Sequence, residues 1–208
     1  MSQYFQVHPQ NPQPRLIRQA AEILRDGGVI AYPTDSCYAL GCLLDDKPAV
    51  TRIRAIRQLD ESHHMSLMCR DLAEIARFAK VDNSTYRLLR AHTPGSYTFL
   101  LTATKEVPRR LQHPKRSTIG LRVPDHPVAL ALLEALGEPM VSTTLLLPGD
   151  EVALADGEDI RQRLERQIDL VLDGGTCGLR VTTVIDLSGA TPVLIRAGRG
   201  SLDSFDFE

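Results

Sequence analysis

The chain has 208 residues, 43% of them hydrophobic and 24% charged, which are ordinary values for a globular domain. A chain of this length buries enough apolar surface to fold without disulfide or metal staples. No apolar run reaches the roughly 18–20 residues needed to span a bilayer, and the start lacks the basic and apolar regions of a signal peptide. The four cysteines form no CxxC pair. We therefore exclude a membrane protein and a disulfide-stapled secreted domain, and we expect a cytoplasmic protein with reduced thiols.

The net charge of −2 conceals an asymmetry along the chain. Residues 1–144 carry 18 Lys and Arg against 14 Asp and Glu, whereas residues 145–208 carry 6 against 12. The densest basic stretch is 105–122, with six cations and one acid. Clustered cations attract polyanions even on a near-neutral protein. Charge alone leaves two interpretations of this stretch open, a phosphate-binding face and a solvated loop.

Apolar spacing predicts helices that alternate with single strands. A first helix is expected at 13–25, where Pro14 suits an early helical position and Gly27 ends the helix. Asp125 is expected to cap a later helix at 126–136. In chain order, the other predicted elements are a strand at 29–32, a helix at 47–58, a strand at 65–69, helices at 71–78 and 83–91, strands at 97–104, 119–123 and 140–144, a helix at 158–166, and strands at 168–172, 181–187 and 192–196.

This order of elements, with a β-hairpin signal only near the end, predicts an α/β fold in which helices cover a mixed sheet. No repeat, low-complexity tract or linker divides the chain. We expect a single domain over residues 1–208, with its core at about 13–200.

Most generic catalytic patterns are absent. The sequence has no GxxxxGK[ST], GxGxxG, HExxH or GxSxG motif. His63 and His64 are adjacent and point in different directions on regular structure, so we expect no metal site. The glycine-rich DGGTCG at 173–178 fits a tight turn, and Cys177 within it has no accompanying His motif that would make it a nucleophile.

The segment AYPTDSCYALGC at 31–42 is more informative. Thr34, Asp35 and Ser36 place small polar side chains at the carboxyl end of a buried strand, where α/β sheets bind ligands. Thr34 and Ser36 are suited to hydrogen-bond a small polar ligand, and Tyr38 offers an aromatic face. A proline-induced turn with local side-chain capping explains the same residues equally well.

The segment YPTDSCYALGC resembles the YPT[DE]TxYGLG signature of the YrdC/Sua5/YciO family. Three further stretches match family motifs in the right order, so that the resemblance spans about residues 13–200. They are HTPGSYTFLL at 92–101, similar to PGPxTxxL, TIGLRVPDHP at 118–127, similar to [VI]GxRxPxHP, and TTVIDLSG at 182–189 with VLIRAGRG at 193–200, similar to STVVD…xxRxG. The segment RQLDESHHMSLMC favours the YciO branch of the family.

The resemblance implies an open, twisted mixed sheet with helices on its faces and a large, concave, positively charged surface. The family resembles an RNA-binding module, and its synthase members make threonylcarbamoyl-AMP from L-threonine, bicarbonate and ATP for tRNA modification. By matching position, Thr34 would contact the amino acid, and Arg57 would replace a phosphate-binding lysine. The predicted substrate- and nucleotide-binding residues are Thr34, Ser36, Tyr38, Arg57, Thr98, Arg122, Thr144, Thr183 and Arg196, and the predicted RNA-binding residues are Arg109, Arg110, Lys115 and Arg116.

Two departures from the synthase pattern affect its phosphate-handling centre. The synthase KxR signature corresponds here to Arg57-Gln58-Leu59-Asp60, in which Leu59 lacks a guanidinium and Asp60 adds a negative charge. The synthase SxN signature corresponds to Thr144-Leu145-Leu146, which loses the amide. A hydrogen bond to a charged group contributes about 1.5–3 kcal/mol. Two such losses predict synthase activity that is lower by roughly 10²–10⁴-fold.

Three hypotheses of function follow. In the first, the chain binds double-stranded RNA or tRNA on the concave surface, beside a degenerate nucleotide pocket, without sequence-specific DNA binding or membrane contact. In the second, it is a slow threonylcarbamoyl-AMP synthase or related enzyme, with ATP or AMP, Mg²⁺ and L-threonine as ligands and Arg57 offsetting phosphate charge. In the third, the acidic segment at 151–166 docks a partner protein. The sequence identifies no catalytic residue and leaves open whether the chain is an enzyme.

Overall fold

The computed structural model describes residues 1–60, 63, 65–203, 205 and 207 of the chain. Within these residues the strands are β1 (Gln3–Gln6), β2 (Ile30–Tyr32), β3 (Ala39–Leu43), β4 (Ser66–Met68), β5 (Tyr97–Thr102), β6 (Thr118–Arg122), β7 (Met140–Thr144), β8 (Leu170–Asp173), β9 (Thr183–Asp186) and β10 (Val193–Arg196). The helices are α1 (Pro14–Arg25), α2 (Lys47–Arg57), α3 (Leu72–Phe78), α4 (Asn83–His92), α5 (Pro127–Leu136) and α6 (Gly157–Leu164), and a 3-10 turn spans Arg109–Leu111. None of the helices in these ranges is long and apolar enough to cross a membrane.

All ten of these strands form one sheet in the order β1-β8-β2-β3-β7-β4-β6-β5-β9-β10. Four neighbouring pairs are parallel, namely β1–β8, β2–β8, β4–β6 and β5–β9. The other five neighbouring pairs are antiparallel. The predicted α/β fold with a mixed sheet is confirmed.

Three details differ from the expectations. Strands β1 and β3 were not predicted, because β1 is short with polar ends and β3 contains Ala39 and Gly41, which are poor strand formers. Since β3 pairs antiparallel with β2, the expectation of a hairpin only near the end of the chain is wrong. The prediction that Asp125 caps α5 is also wrong. The N-cap of α5 is His126, which makes no side-chain cap hydrogen bond, and the Asp125 N–H donates to Asp35 over 3.2 Å.

The two faces of the sheet are covered unequally. Alternate strand side chains, among them Leu40, Phe99 and Leu121, are buried with α2, α3, α4 and α6 in the larger core cluster. On the opposite face, α1 and α5 pack over the part of the sheet around β8, β2 and β3. The rest of that face lines a cavity in which Ser and Thr side chains predominate, and we call this part of the face the concave surface.

Tyr32 joins the covered and the open parts of this second face. Its ring is fully buried, and its hydroxyl lies 2.6 Å from Ser142 Oγ on β7. Burial raises the pKa of Tyr32 to about 12 against the opposing effect of that hydrogen bond. A Cβ atom at Gly41 would lie 2.8 Å from the Tyr32 ring. Gly41 is therefore required because β3 and Tyr32 occupy adjoining space.

We predict that Gly41→Ala lowers the free energy of unfolding by about 1–3 kcal/mol, because the added methyl overpacks the site beside Tyr32. Urea denaturation followed by circular dichroism measures this change. Tyr32→Phe serves as the control, since it keeps the ring and removes only the hydrogen bond, with an expected cost of about 1 kcal/mol. Wild-type stability of Gly41→Ala would contradict the close packing of β3 on Tyr32.

Candidate functional site

The concave surface contains a cavity of about 540 Å³, which we call the hydroxyl pocket. Its volume lies in the range of sites for small molecules. The charged side chains among its described lining residues are Arg122, Arg196 and Asp60, and Met68, Leu100, Val184 and Ile195 form apolar parts of the wall. Its lining includes Tyr38 and seven serine and threonine residues, namely Ser36, Ser66, Thr98, Ser142, Thr143, Thr144 and Thr182.

Arg122, the last residue of β6, is the most constrained cation of the pocket. Only 6% of the residue is exposed, and its Nη2 forms a buried ion pair with Asp35 and a 3.3 Å hydrogen bond to Thr34 Oγ1. Ser96 Oγ donates to the second oxygen of Asp35. Burial by itself raises the pKa of Asp35, but the charge of Arg122 and these hydrogen bonds outweigh it and hold that pKa below its ordinary value. The Nε–H of Arg122 is buried without a hydrogen-bond partner among the described residues.

Arg196 belongs to a hydrogen-bond network on the opposite side of the pocket. Its Nε and Nη2 donate to the Thr182 carbonyl over 3.3 Å and 3.0 Å, and Nη2 also lies 3.3 Å from Thr182 Oγ1. The Thr182 hydroxyl lies 3.0 Å from the Thr98 hydroxyl. Three side chains from β5, the start of β9 and β10 are thereby held in one arrangement along the wall.

The turn after β2 has a more structural role than predicted. Thr34 is 2% exposed, and its hydroxyl donates to the Cys37 carbonyl over 2.7 Å and accepts from the Ser36 N–H over 3.2 Å. The capped turn is therefore present. Ser36 lines the hydroxyl pocket, whereas Thr34 lines a separate cavity on the other side of Asp35.

Tyr38 is among the residues that line the hydroxyl pocket, as predicted, but its ring presents no exposed aromatic face. The ring is fully buried in the larger core cluster, and the hydroxyl lies within hydrogen-bond distance of Asp173 (3.0 Å) and the Gly175 carbonyl (2.9 Å). Burial and the neighbouring carboxylate raise the pKa of Tyr38 well above its usual value. Tyr38 thus anchors the glycine turn at 173–178, where Gly175 has a φ of +90° and its N–H donates to Asp173 over 2.9 Å.

Two predicted residues, Arg57 and Thr183, are not among the described lining residues of the pocket and make structural contacts. Arg57 Nη1 donates to the Thr144 carbonyl over 2.5 Å, and Arg57 is not among the described lining residues. Burial lowers the pKa of Arg57. Thr183 is fully buried, donates to the Gly200 carbonyl over 2.7 Å and accepts from the Gly198 N–H over 3.0 Å. It holds the segment after β10, and its neighbour Thr182 faces the pocket instead.

Sequence reasoning missed four hydroxyl residues of the pocket, Ser66, Ser142, Thr143 and Thr182. For Ser66, Ser142 and Thr182 a usable signal was present in the period-two alternation of the strands, whereas Thr143 is in step with the core residue Val141 and gave no such signal. Ser142 and Thr144 alternate with the core residue Val141, and Thr182 and Val184 alternate with the core residue Ile185.

The predicted RNA-binding cations do not line the hydroxyl pocket. Arg109 and Arg110 lie in a groove against α2, Lys115 is exposed, and Arg116 pairs with Asp186 over 3.4 Å. Arg122 alone of the 105–122 stretch lines the pocket, and Asp35 neutralises it. The positive charge of the concave surface is therefore smaller than the family resemblance implies.

Among the described residues we find no new candidate for a metal site or for a nucleophilic cysteine. Among the residues that the structure describes, no group of three or more His, Cys, Asp or Glu side chains is placed to hold a metal ion. Of the predicted poor metal pair, His64 lies outside the described residues. Burial raises the pKa of Cys177 to about 11, so this thiol is protonated at neutral pH and is a weak nucleophile.

Comparison with known proteins gives consistent matches. A family model described as "Telomere recombination", covering Sua5, YciO and YrdC, matches residues 22–198. YciO of Escherichia coli (strain K12) is 58% identical over 205 residues, which cover 99% of this chain and 100% of that protein. The crystal structure of E. coli YciO has a TM-score of 0.96 to this chain, with the same identity and coverage.

More distant matches include synthases. The threonylcarbamoyl-AMP synthase of Chromobacterium violaceum is 38% identical over 144 residues, 69% of this chain and 74% of that protein. The crystal structure of P. abyssi Sua5 complexed with L-threonine has a TM-score of 0.86 at 27% identity, covering 94% of this chain and 57% of that one.

We predict that Asp35→Asn lowers the free energy of unfolding by about 3–5 kcal/mol at pH 7, because it leaves Arg122 buried without a counter-charge. Since the pKa of Asp35 is held below its ordinary 3.8, the stabilisation is complete above that value and is lost as the pH falls through the folded-state pKa. The difference in the free energy of unfolding between the variant and wild type should therefore become smaller below about pH 4. Urea titrations between pH 3 and pH 7 measure it. Asp125→Asn is the control, and a loss at pH 7 no larger than that of the control would contradict the buried pair.

Proposed function

The chain belongs to the Sua5/YciO/YrdC family, and we propose that its hydroxyl pocket binds an adenylate of the threonylcarbamoyl-AMP type. The observation that carries this proposal is the buried Arg122, which Asp35 holds in place and whose Nε–H has no partner among the described residues. Arg122 lines the pocket, and a guanidinium that the protein already holds in a fixed orientation is suited to bind an anionic ligand oxygen. The similarity to threonylcarbamoyl-AMP synthases and to an L-threonine-bound Sua5 supports the same class of ligand.

The walls of the pocket suit the parts of such a molecule. Hydroxyls both donate and accept, so a surface rich in Ser and Thr matches a ribose and a carbamoyl amino acid. Leu100, Val184 and Ile195 provide the apolar part of the wall, against which a base can pack. Arg196 and Arg122 supply guanidinium groups for a phosphate or carboxylate.

The charges of the hydroxyl pocket favour a ligand with one phosphate group over a ligand with three. Arg122 and Arg196 are balanced by Asp35 and Asp60, so the site has no excess of positive charge. The two cations of the synthase signature are absent from it, since Arg57 is bonded to Thr144 and Leu59 packs against the core. ATP would have to bring its own neutralising Mg²⁺. We therefore propose an adenylate-binding protein whose synthase activity, with L-threonine, bicarbonate and ATP, is slow.

The other functional hypotheses have different support. RNA contact, with duplex RNA or tRNA as partner, would depend on Arg109, Arg110, Lys115 and Arg116, which lie outside the pocket. The partner-docking hypothesis for the acidic segment at 151–166 gains little, because two of its arginines already form ion pairs, Arg161 with Glu158 in the segment and Arg163 with Asp150 just before it. A cytoplasmic location stays a prediction, in keeping with four free cysteines among the described residues.

We predict that AMP and threonylcarbamoyl-AMP bind the wild-type chain and that Arg196→Gln weakens this binding by about tenfold to 150-fold, the effect of losing about 1.5–3 kcal/mol from a charge-assisted hydrogen bond. Isothermal titration calorimetry measures the dissociation constants. Lys115→Gln, which removes an exposed cation outside the pocket, is the matched control. Equal affinities for the Arg196 variant and wild type would contradict the assigned site.

We predict that wild type binds AMP at least as tightly as ATP. We also predict that Asp60→Asn strengthens ATP binding by about five- to tenfold, because one negative charge is removed from the pocket lining, and that it affects AMP less, because AMP carries fewer negative charges. Calorimetry with AMP and with ATP, in the presence of Mg²⁺, measures the ratio of the two dissociation constants for wild type and for the variant.

Pyrophosphate release from ATP, L-threonine and bicarbonate tests the proposed slow synthase activity directly. A rate equal to that of a threonylcarbamoyl-AMP synthase assayed in parallel would contradict the slow-synthase proposal.

A further inference from the structure

A row of small residues on neighbouring strands forms part of the wall of the hydroxyl pocket. Ser142 on β7 lies opposite Gly41 on β3 and opposite Ser66 on β4, and Ser66 lies opposite Gly120 on β6. Both serines line the pocket. A Cβ atom at Gly120 would lie 2.9 Å from Ser66 Oγ, and one at Gly41 would lie 2.8 Å from the Tyr32 ring. Larger side chains are therefore excluded from this row, and the two serines are its polar groups.

Tyr32 reaches this row from outside the pocket. It is not among the described lining residues, its ring is fully buried, and its hydroxyl lies 2.6 Å from Ser142 Oγ. No other described residue forms a hydrogen bond with that hydroxyl. A buried O–H group that does not donate leaves an unmet proton, whereas Ser142 borders the cavity and can direct its own proton there. The Tyr32 hydroxyl is therefore the donor and Ser142 Oγ the acceptor. Burial raises the pKa of Tyr32 to about 12, which keeps this proton on the tyrosine at neutral pH.

The direction of this bond fixes the role of Ser142. Its oxygen accepts from Tyr32, and its proton has no acceptor in the part of the chain that the structure describes, so the Ser142 O–H is left to donate into the pocket. A hydroxyl that accepts one hydrogen bond is polarised and becomes a stronger donor. Ser142 is thus a donor that the fold sets before a ligand arrives.

Counting hydroxyl protons on the opposite wall gives the same result. The Thr98 and Thr182 hydroxyls lie 3.0 Å apart, so one of their two protons is used between them. Arg196 Nη2, which lies 3.3 Å from Thr182 Oγ1, can only donate and takes up neither proton. One hydroxyl proton of this pair is therefore also left for the pocket. The polar groups whose direction these networks fix are donors, which suits a ligand rich in acceptor oxygens.

We propose that Tyr32 is a positioning residue of the hydroxyl pocket, which holds Ser142 as a hydrogen-bond donor to an acceptor oxygen of the bound adenylate. This inference rests on the adenylate assigned above and adds to it a residue that does not touch the ligand. Phosphate, carboxylate and carbonyl oxygens share this acceptor chemistry. A threonylcarbamoyl-AMP carries them in its phosphate and in its acyl group, whereas AMP carries only the phosphate.

Isothermal titration calorimetry with AMP and with threonylcarbamoyl-AMP tests the proposal on wild type, Tyr32→Phe, Ser142→Ala and the double variant. Ser142→Ala should weaken binding by about two- to twelvefold, the effect of one lost hydrogen bond. Tyr32→Phe should weaken it by roughly two- to fivefold, because the Ser142 hydroxyl is no longer oriented. In the Ser142→Ala background, Tyr32→Phe should have no further effect on affinity, because Tyr32 acts only through the Ser142 hydroxyl.

The matched control is Tyr4→Phe on β1, which removes a tyrosine hydroxyl that donates to Asp173 over 2.6 Å and is not part of the described pocket lining. We expect wild-type affinities for this variant. Urea denaturation verifies that all variants are folded. The double variant should be more stable than Ser142→Ala, which leaves the buried Tyr32 O–H without a partner.

The two ligands identify the oxygen that Ser142 meets. Weaker binding of both ligands assigns it to the AMP part, and weaker binding of threonylcarbamoyl-AMP alone assigns it to the acyl group. The inference is overturned, while the adenylate proposal stands, by wild-type affinities for both single variants or by equal weakening from Tyr32→Phe in the wild-type and Ser142→Ala backgrounds. If wild type binds neither ligand, the adenylate proposal fails and this inference fails with it.

Discussion

The buried ion pair between Arg122 and Asp35 determines how the open half of this molecule is built. Moving two charges out of water costs several kcal/mol for each ion, and only good geometry with additional hydrogen bonds offsets that cost. Here Asp35 also accepts from Ser96 and from the backbone of Asp125, so the pair joins the segments that precede β3, β5 and α5 with the end of β6. The hydroxyl pocket lies on one side of this junction and a second polar cavity on the other, and the orientation of Arg122 is set by the fold before any ligand arrives.

Helices cover the two faces of the sheet to different extents, and this gives the protein two kinds of surface. On the face covered by α2, α3, α4 and α6, the apolar strand residues are buried, and charged side chains of both signs lie on these helices. On the other face, α1 and α5 stop short of the later strands, and the side chains left there are mostly hydroxyls. Hydroxyls tolerate partial burial because they find partners in one another, as Thr98 and Thr182 do. The result is an enclosed polar site with little net charge.

The departures from the synthase signatures have structural consequences that go beyond missing groups. Arg57 keeps a positive charge near the pocket but uses a guanidinium nitrogen to tie the end of α2 to the Thr144 carbonyl. Leu59, in the position of a synthase arginine, packs against the core. Residues that handle phosphates in the synthase pattern thus connect secondary-structure elements here. The family architecture is preserved, while the chemistry available at its centre has changed.

The amino-acid sequence by itself determined the α/β class, most helix and strand positions, the family, and the selection of Arg122, Arg196 and Thr98 as residues of one pocket, because these depend on local periodicity and on motifs that are contiguous in the chain. It did not reveal β3, whose glycine is explained only by the Tyr32 ring beside it, or the roles of Tyr38 and Thr183, whose side chains turn into the core and toward a distant loop. The separation of the 105–116 cations from the pocket was equally hidden. Which face of a sheet a residue occupies depends on strand register and pairing across the whole chain, and only the tertiary structure decides that.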